Sequence, residues 1–215
     1  MPVDDVALKF DRYMKRYIGL YDELASVVDK WSDQQGLIVD VGCGSGLVSI
    51  AIAKRMPHVS VVGVEPSEDM RKLALSNASE KKVLDQMNVV EGFSDSLPFE
   101  DGSIDCIVSR YSLPYWCDPQ KSFDEFFRVL KPGGVVVLEC LNAKFSTLKL
   151  WLIGLHMFTK RSGLGVARYH VKAYKLAYSL DQVKVFLKEA NLSEEFVEYQ
   201  KGDWRFLVVG KKPLG

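Results

Sequence analysis

From residue 36 onward, short apolar runs alternate with helical patterns, and this alternation leaves few folds open to the chain. Leu37–Val41, Val59–Val64, Met87–Val90, Ile104–Ser109 and Val135–Cys140 read as strands. Between them, Leu47–Arg55 has helical character and stops before Pro57. Ser67 N-caps a helix to about Ala78, with Glu68 and Asp69 in the first turn, where the dipole favours carboxylates. Asp118-Pro119 opens another helix, which Lys131-Pro132-Gly133-Gly134 is expected to close. Ser179 and Gln182 form a capping box for a last helix to about Ala190. Glu195–Tyr199 and Trp204–Val209 read as strands joined by a turn at Lys201-Gly202-Asp203. Strands buried on both faces and alternating with helices specify an α/β fold, a mainly parallel sheet covered on both sides. Ahead of it, residues 5–31 read as one helix, with Phe10, Tyr13, Tyr17, Leu20, Leu24 and Trp31 along an apolar stripe.

Such sheets bind ligands beyond the carboxyl ends of their strands, at the switch point beside the first strand. There the chain reads Val39-Asp40-Val41-Gly42-Cys43-Gly44-Ser45-Gly46, followed by a helix. Glycines allow the tight turn and let a ligand approach backbone and helix N-terminus. The dinucleotide fingerprint G-x-G-x-x-G/A fails, because its sixth position is Leu47 and the third glycine comes one residue early. The phosphate-binding G-x-x-x-x-G-K-[ST] loop is absent. Asp40 would repel a phosphate and welcome an ammonium group. Glu65 ends the second strand 19 residues after Gly46, where a carboxylate can accept bonds from both hydroxyls of a ribose.

Charge and cysteine content narrow the function further. The 28 basic and 28 acidic residues cancel, so no overall field attracts nucleic acid. The four cysteines include no C-x-x-C pair, which argues against structural zinc and for buried, reduced thiols. The longest clean apolar run, Leu150 to Leu155, is far short of the roughly 20 residues that span a bilayer. The opening Met-Pro-Val-Asp-Asp lacks the features of a secretory leader, so a cytoplasmic protein is expected.

The pattern continues through Glu91-Gly92-Phe93-Ser94-Asp95-Ser96-Leu97-Pro98-Phe99, Gly102-Ser103-Ile104-Asp105 and Phe126-Phe127-Arg128-Val129-Leu130-Lys131-Pro132-Gly133-Gly134. Together these motifs resemble the class I S-adenosylmethionine-dependent methyltransferases, in the small-molecule branch of the ubiquinone- and menaquinone-biosynthesis enzymes. The resemblance implies a Rossmann-like, doubly wound sheet of seven strands with the last antiparallel. It implies S-adenosyl-L-methionine as cofactor, S-adenosyl-L-homocysteine as product and no metal. It places Asp40, Gly42, Cys43, Gly44 and Gly46 at the methionine part of the cofactor and Glu65 at the ribose. Pro66, Ser67 and Met70 fall beside the adenine, Phe93 and Ser94 along its edge, and Ser109, Arg110 and Tyr111 beside the sulfonium. One departure stands out: Phe93 occupies the place where the family often has an adenine-binding Asp, and Asp95 comes two positions later. Tyr17, with Tyr13, is expected to cover the cofactor.

Methyl transfer from a sulfonium is an in-line displacement, so orientation supplies much of the rate. An oxygen or nitrogen acceptor must also lose a proton. Candidates to take it are His156 and His170, whose pKa lies near neutrality, and Tyr111, Tyr115 and Asp118 after the fourth strand. From Cys140 to Leu180 there is no Asp or Glu against seven Lys and Arg, so this segment carries all the positive excess. Phe145, Leu148, Trp151, Leu152, Leu155 and Phe158 recur there at helical spacing. A basic, greasy lid over 141–178 follows, hinged by Gly163 and Gly165, for an apolar acceptor with an anionic group. Contact of 144–175 with a membrane surface is the other reading of that segment.

The expected organisation is a single domain with an N-terminal cover (1–35), a cofactor core (36–140), the lid (141–178), and a C-terminal helix and strand pair (179–215). A monomer or homodimer acting on a small molecule is expected. A non-catalytic cofactor-binding partner or sensor domain and an RNA (tRNA) methyltransferase are the alternatives. Nucleic acid is the weaker of these, because Ser112-Leu113-Pro114-Tyr115-Trp116 lacks the [DN]-P-P-[YF] of base-amino methyltransferases.

Overall fold

A computed structural model describes residues 5–33, 35–146, 172–200 and 202–214. Strands β1 (Gly36–Val41), β2 (Val59–Val64), β3 (Met87–Val90), β4 (Ile104–Arg110), β5 (Leu130–Leu141), β6 (Ser193–Tyr199) and β7 (Arg205–Lys211) form one sheet in the order β3-β2-β1-β4-β5-β7-β6. The first five run parallel, and β7 is antiparallel to both neighbours. This is the doubly wound sheet expected from the alternation. Chain order reverses between β1 and β4, so the loops after these two strands flank the switch-point crevice.

The helices are α1 (Asp5–Met14), α2 (Ile18–Trp31), α3 (Leu47–Arg55), α4 (Glu68–Glu80), α5 (Pro119–Val129) and α6 (Leu180–Glu189). Val48 to Ala53 of α3 are all buried, because α3 packs between the sheet and α2. Its sequence is accordingly apolar on every side. The caps at Ser67, Asp118 and Ser179 form as expected, the last a complete capping box. No described helix is long and apolar enough to cross a membrane.

Three expectations need correction. Residues 5–31 are not one helix. Lys15–Tyr17 form a 3-10 turn, and Tyr17 leaves helical geometry at φ −114°, ψ 35°. The break lets α2 lie on α3 and β5 while α1 turns across to α4. Lys131-Pro132-Gly133-Gly134 do not close α5, which ends at Val129; they are the first residues of β5. The Gly133 amide donates to the Lys212 carbonyl and the Lys212 amide to the Gly134 carbonyl, so tertiary pairing overrides their turn chemistry. A side chain at Gly134 would sit 2.9 Å from the Lys131 carbonyl oxygen. Finally, Cys43, Cys106 and Cys140 are buried free thiols, but Cys117 is exposed. Residues 147–171 lie outside the described residues, and with them His156, His170, the lid glycines and most of the apolar lid series.

Candidate functional site

The glycine loop after β1 forms one floor of a cavity of about 620 Å³ at the switch point. Gly42, Gly44 and Gly46 adopt φ of +73°, +54° and +79°, a region that excludes most side chains. The Gly42 and Cys43 amides donate to the Val64 carbonyl at 2.8 and 3.2 Å. A Cβ on Gly42 would lie 2.5 Å from Ser112 Cβ, whereas one on Gly44 would meet nothing within 4 Å. Gly44 thus presents bare backbone to the cavity. Gly46 does not line it. It starts α3 and spaces the helix from Ala74 and Met87, which a Cβ would approach to 3.0 and 2.9 Å.

Glu65 stands opposite. One carboxylate oxygen accepts from the Gly44 amide at 3.0 Å and the other from the Ser67 amide at 3.0 Å. A carboxylate has about four acceptor positions, so two remain after this pinning. Arg71, which the motifs did not single out, fixes the same turn by donating to the Glu65 and Pro66 carbonyls at 2.9 and 2.7 Å. Pro66 and Met70 line the cavity; Ser67 is spent as the α4 cap, accepting from the Met70 amide.

Asp40 is buried at the end of β1 and accepts from the Ser49 hydroxyl at 2.6 Å. Burial pushes its carboxyl up to about 7, against the partial opposition of that hydrogen bond. A cation arriving beside it would draw the proton off.

The wall after β4 braces the loop. The Ser109 hydroxyl, buried, donates to the Val41 carbonyl at 2.8 Å and contacts the Ser112 hydroxyl, to which Trp116 Nε1 donates at 3.0 Å. Ser109 therefore acts through the loop and not on the cavity, contrary to its expected place. Arg110 lines the cavity, but its guanidinium is buried in an ion pair with Glu139, between the rings of Tyr21 at 4.5 Å and Tyr111 at 4.2 Å. Asp118, a candidate base, is the α5 cap and accepts from the Lys121 amide.

Phe93 is 52% exposed and lines the cavity, so it is not core filler. Ser94 lines it too, its hydroxyl accepting from Ser122 at 2.8 Å. Asp95 shares that wall, and none of the described hydrogen bonds or ion pairs engages its carboxylate. The roof is Phe10, Tyr13, Tyr17 and Tyr21 from the cover helices, with the Tyr13 and Tyr17 hydroxyls 3.2 Å apart. Tyr111, Tyr115, Tyr174 and Trp204 close the far end.

The roof is tied down by a residue that sequence reasoning missed. Asn77 of α4 is buried, donates to Asp11 of α1 at 3.0 Å and to the Ser45 carbonyl of the glycine loop at 2.9 Å, and accepts from Lys15 at 2.7 Å. The signal was present: an amide on the helix face that also carries Leu73, Ala74 and Ala78. Asn77→Ala is expected to cost about 1–3 kcal/mol, because it leaves buried Asp11 and the Ser45 carbonyl short of a donor. Thermal unfolding checks this, and an unchanged melting temperature would rule the latch out.

Residues 39–138 match the family model described as a methyltransferase domain. The chain is 37% identical over 101 residues to a chloroplastic 2-methyl-6-phytyl-1,4-hydroquinone methyltransferase of Oryza sativa, covering 47% of this chain and 29% of that protein. It is 29% identical over 187 residues to the demethylmenaquinone methyltransferase of Lactococcus lactis, covering 82% and 73%. The chain thus spans under a third of the length of the first relative and nearly three quarters of the second. Among solved structures it superposes on a Methanococcus maripaludis protein provisionally described as an S-adenosyl-L-methionine-dependent methyltransferase. The TM-score there is 0.73 at 26% identity, over 96% of this chain and 92% of that one.

Proposed function

We propose that this chain is an S-adenosylmethionine-dependent methyltransferase acting on a small, largely apolar ring of the hydroquinone type, a reading supported by the match of residues 39–138 to the methyltransferase-domain model and by its relatives. The observation that carries the reading is the pairing of Asp40 and Glu65 across bare glycine backbone in one cavity.

The residues fit that cofactor. Asp40 suits the ammonium of its amino-acid part, ionising as the cation arrives. The two free acceptor positions of Glu65 suit a ribose diol. Phe93 offers an exposed ring to the adenine in place of a carboxylate, with Asp95 on the same wall. When bound, S-adenosylmethionine supplies an electrophilic methyl group. The chain's own part is to align the acceptor with it, exclude water beneath the Tyr13–Tyr17 roof and hold the acceptor in reactive form. The aromatic far end suits a flat apolar ring.

Calorimetry with S-adenosylmethionine and S-adenosylhomocysteine tests the cofactor reading. Glu65→Ala is expected to weaken both by about tenfold or more, roughly 1.4 kcal/mol. Transfer of labelled methyl to added hydroquinones, with label partitioning into organic solvent, tests the acceptor. Label released by nuclease would replace this reading with an RNA methyltransferase.

A further inference from the structure

The cavity has a second polar wall, at the end of β4 beside the glycine loop. Behind it Arg110, Glu139 and Arg205 form a cluster whose side chains are 5%, 3% and 6% exposed. Glu139 gives one oxygen to each guanidinium. One buried carboxylate thus faces two buried cations. Two other acids reach the cluster. Glu23 lies 3.1 Å from Arg205 but is 64% exposed, so water screens its charge. Asp40 also feels Arg110, but its own burial favours the neutral carboxyl. The Nε of Arg205 is buried with no hydrogen-bond partner among the described residues. A buried N–H left without an acceptor is costly, and exceptions of this kind concentrate at functional sites.

Tyr111 stands between this cluster and the cavity. It holds φ +57°, a strained value for a non-glycine residue, with its amide donating to the Glu139 carbonyl at 2.9 Å. Its hydroxyl accepts from Arg110 at 3.2 Å and from Arg205 at 3.5 Å. A phenol has two lone pairs and one proton. Both lone pairs are engaged, and none of the described hydrogen bonds takes the proton. Burial pushes its pKa up, so Tyr111 is a donor and not a base.

The geometry points to an oxyanion site: the Tyr111 hydroxyl, backed by Arg110 and Arg205, donates to an ionised oxygen of the methyl acceptor. This rests on the methyltransferase reading and adds the charge state of the substrate. An acceptor hydroxyl that binds here releases its proton to solvent and keeps its electron pair. No covalent bond to the protein forms. The retained charge makes the oxygen, or the ring carbons conjugated to it, a better nucleophile toward the methyl group. Tyr111 is then a specificity-determining residue.

The test uses the whole 215-residue chain with three probes of one shape at pH 6: 4-nitrophenol, whose anion absorbs visible light, 4-nitrobenzoate and neutral nitrobenzene. Each is titrated with and without S-adenosylhomocysteine. The oxyanion site predicts that an ionisable probe binds at least tenfold tighter than nitrobenzene. It also predicts that bound 4-nitrophenol shows the visible band of its anion. The stronger of the two ionisable probes tells a phenolate from a carboxylate acceptor. Tyr111→Phe is expected to lose the band and the preference. Equal binding of nitrobenzene, or a band that survives Tyr111→Phe, overturns the site. If Tyr111→Phe does not fold, the three-probe comparison on wild type decides alone. Failure to bind S-adenosylhomocysteine would instead sink the methyltransferase reading, and the probe series on the free protein would still report on the anion site.

Discussion

Asp40→Asn is expected to make the protein more stable at pH 8 and at the same time to cost it S-adenosylmethionine affinity by tenfold or more. The sign follows from where the proton sits. Burial raises the folded-state carboxyl to about 7, while an unfolded Asp titrates near 3.9. Between these values the native state binds a proton that the unfolded state has released. The stability this lends is complete below about pH 4 and is lost as pH rises through 7. Asn cannot ionise, keeps the volume and still accepts the Ser49 hydroxyl. The stability of the variant relative to wild type should therefore grow by roughly 3 kcal/mol from pH 5 to pH 8. Melting curves at the two pH values check it. A difference that does not change with pH would mean the buried carboxyl is not protonated near neutrality. Cofactor affinity is expected to move the other way, because the ion that burdens the empty site is the one that would meet the ammonium.

The second large effect lies in the buried cluster. Glu139→Leu removes the carboxylate shared by Arg110 and Arg205, stranding Arg110 and leaving Arg205 only the exposed Glu23 as a carboxylate partner. Breaking a buried pair in this way costs about 3–5 kcal/mol, which for a chain of this size is on the order of 10 °C in Tm. Replacing the two arginines by Met in the same protein should recover most of that loss, since a packed apolar cluster of similar volume is often as stable. Recovery of stability without recovery of 4-nitrophenol binding would separate the cluster's functional role from its structural one. A triple variant as unstable as Glu139→Leu would show that the cluster holds the fold and not a ligand.

The strand order and the glycine-loop wall of the cavity were legible because they rest on local chemistry. Continuous apolar runs mark buried parallel strands, and a glycine loop with acids at two strand ends marks the crevice. What escaped depends on partners far away in the chain. Lys131-Pro132-Gly133-Gly134 has the composition of a turn and becomes a strand because Lys212 pairs with it. Ser109 has the position of a ligand residue and becomes a brace because the Val41 carbonyl is within reach. The helix break at Tyr17 carries no proline, and only the separate docking of α1 and α2 requires it. Tyr111 was visible as a candidate, but its role depends on Arg205, which is 94 positions away. Asn77 carries a local signal, an amide on the apolar face of α4, but its partners Asp11 and Ser45 lie far away in the chain.

The Asn77 latch has a consequence for timing. One amide group holds both the roof helix and a carbonyl of the glycine loop. Release of S-adenosylhomocysteine is therefore expected to require that roof and floor loosen together. A latch of this kind sets how long a visitor stays more than how quickly it arrives. Asn77→Ala is expected to shorten the residence time of S-adenosylhomocysteine and to leave its association rate nearly untouched.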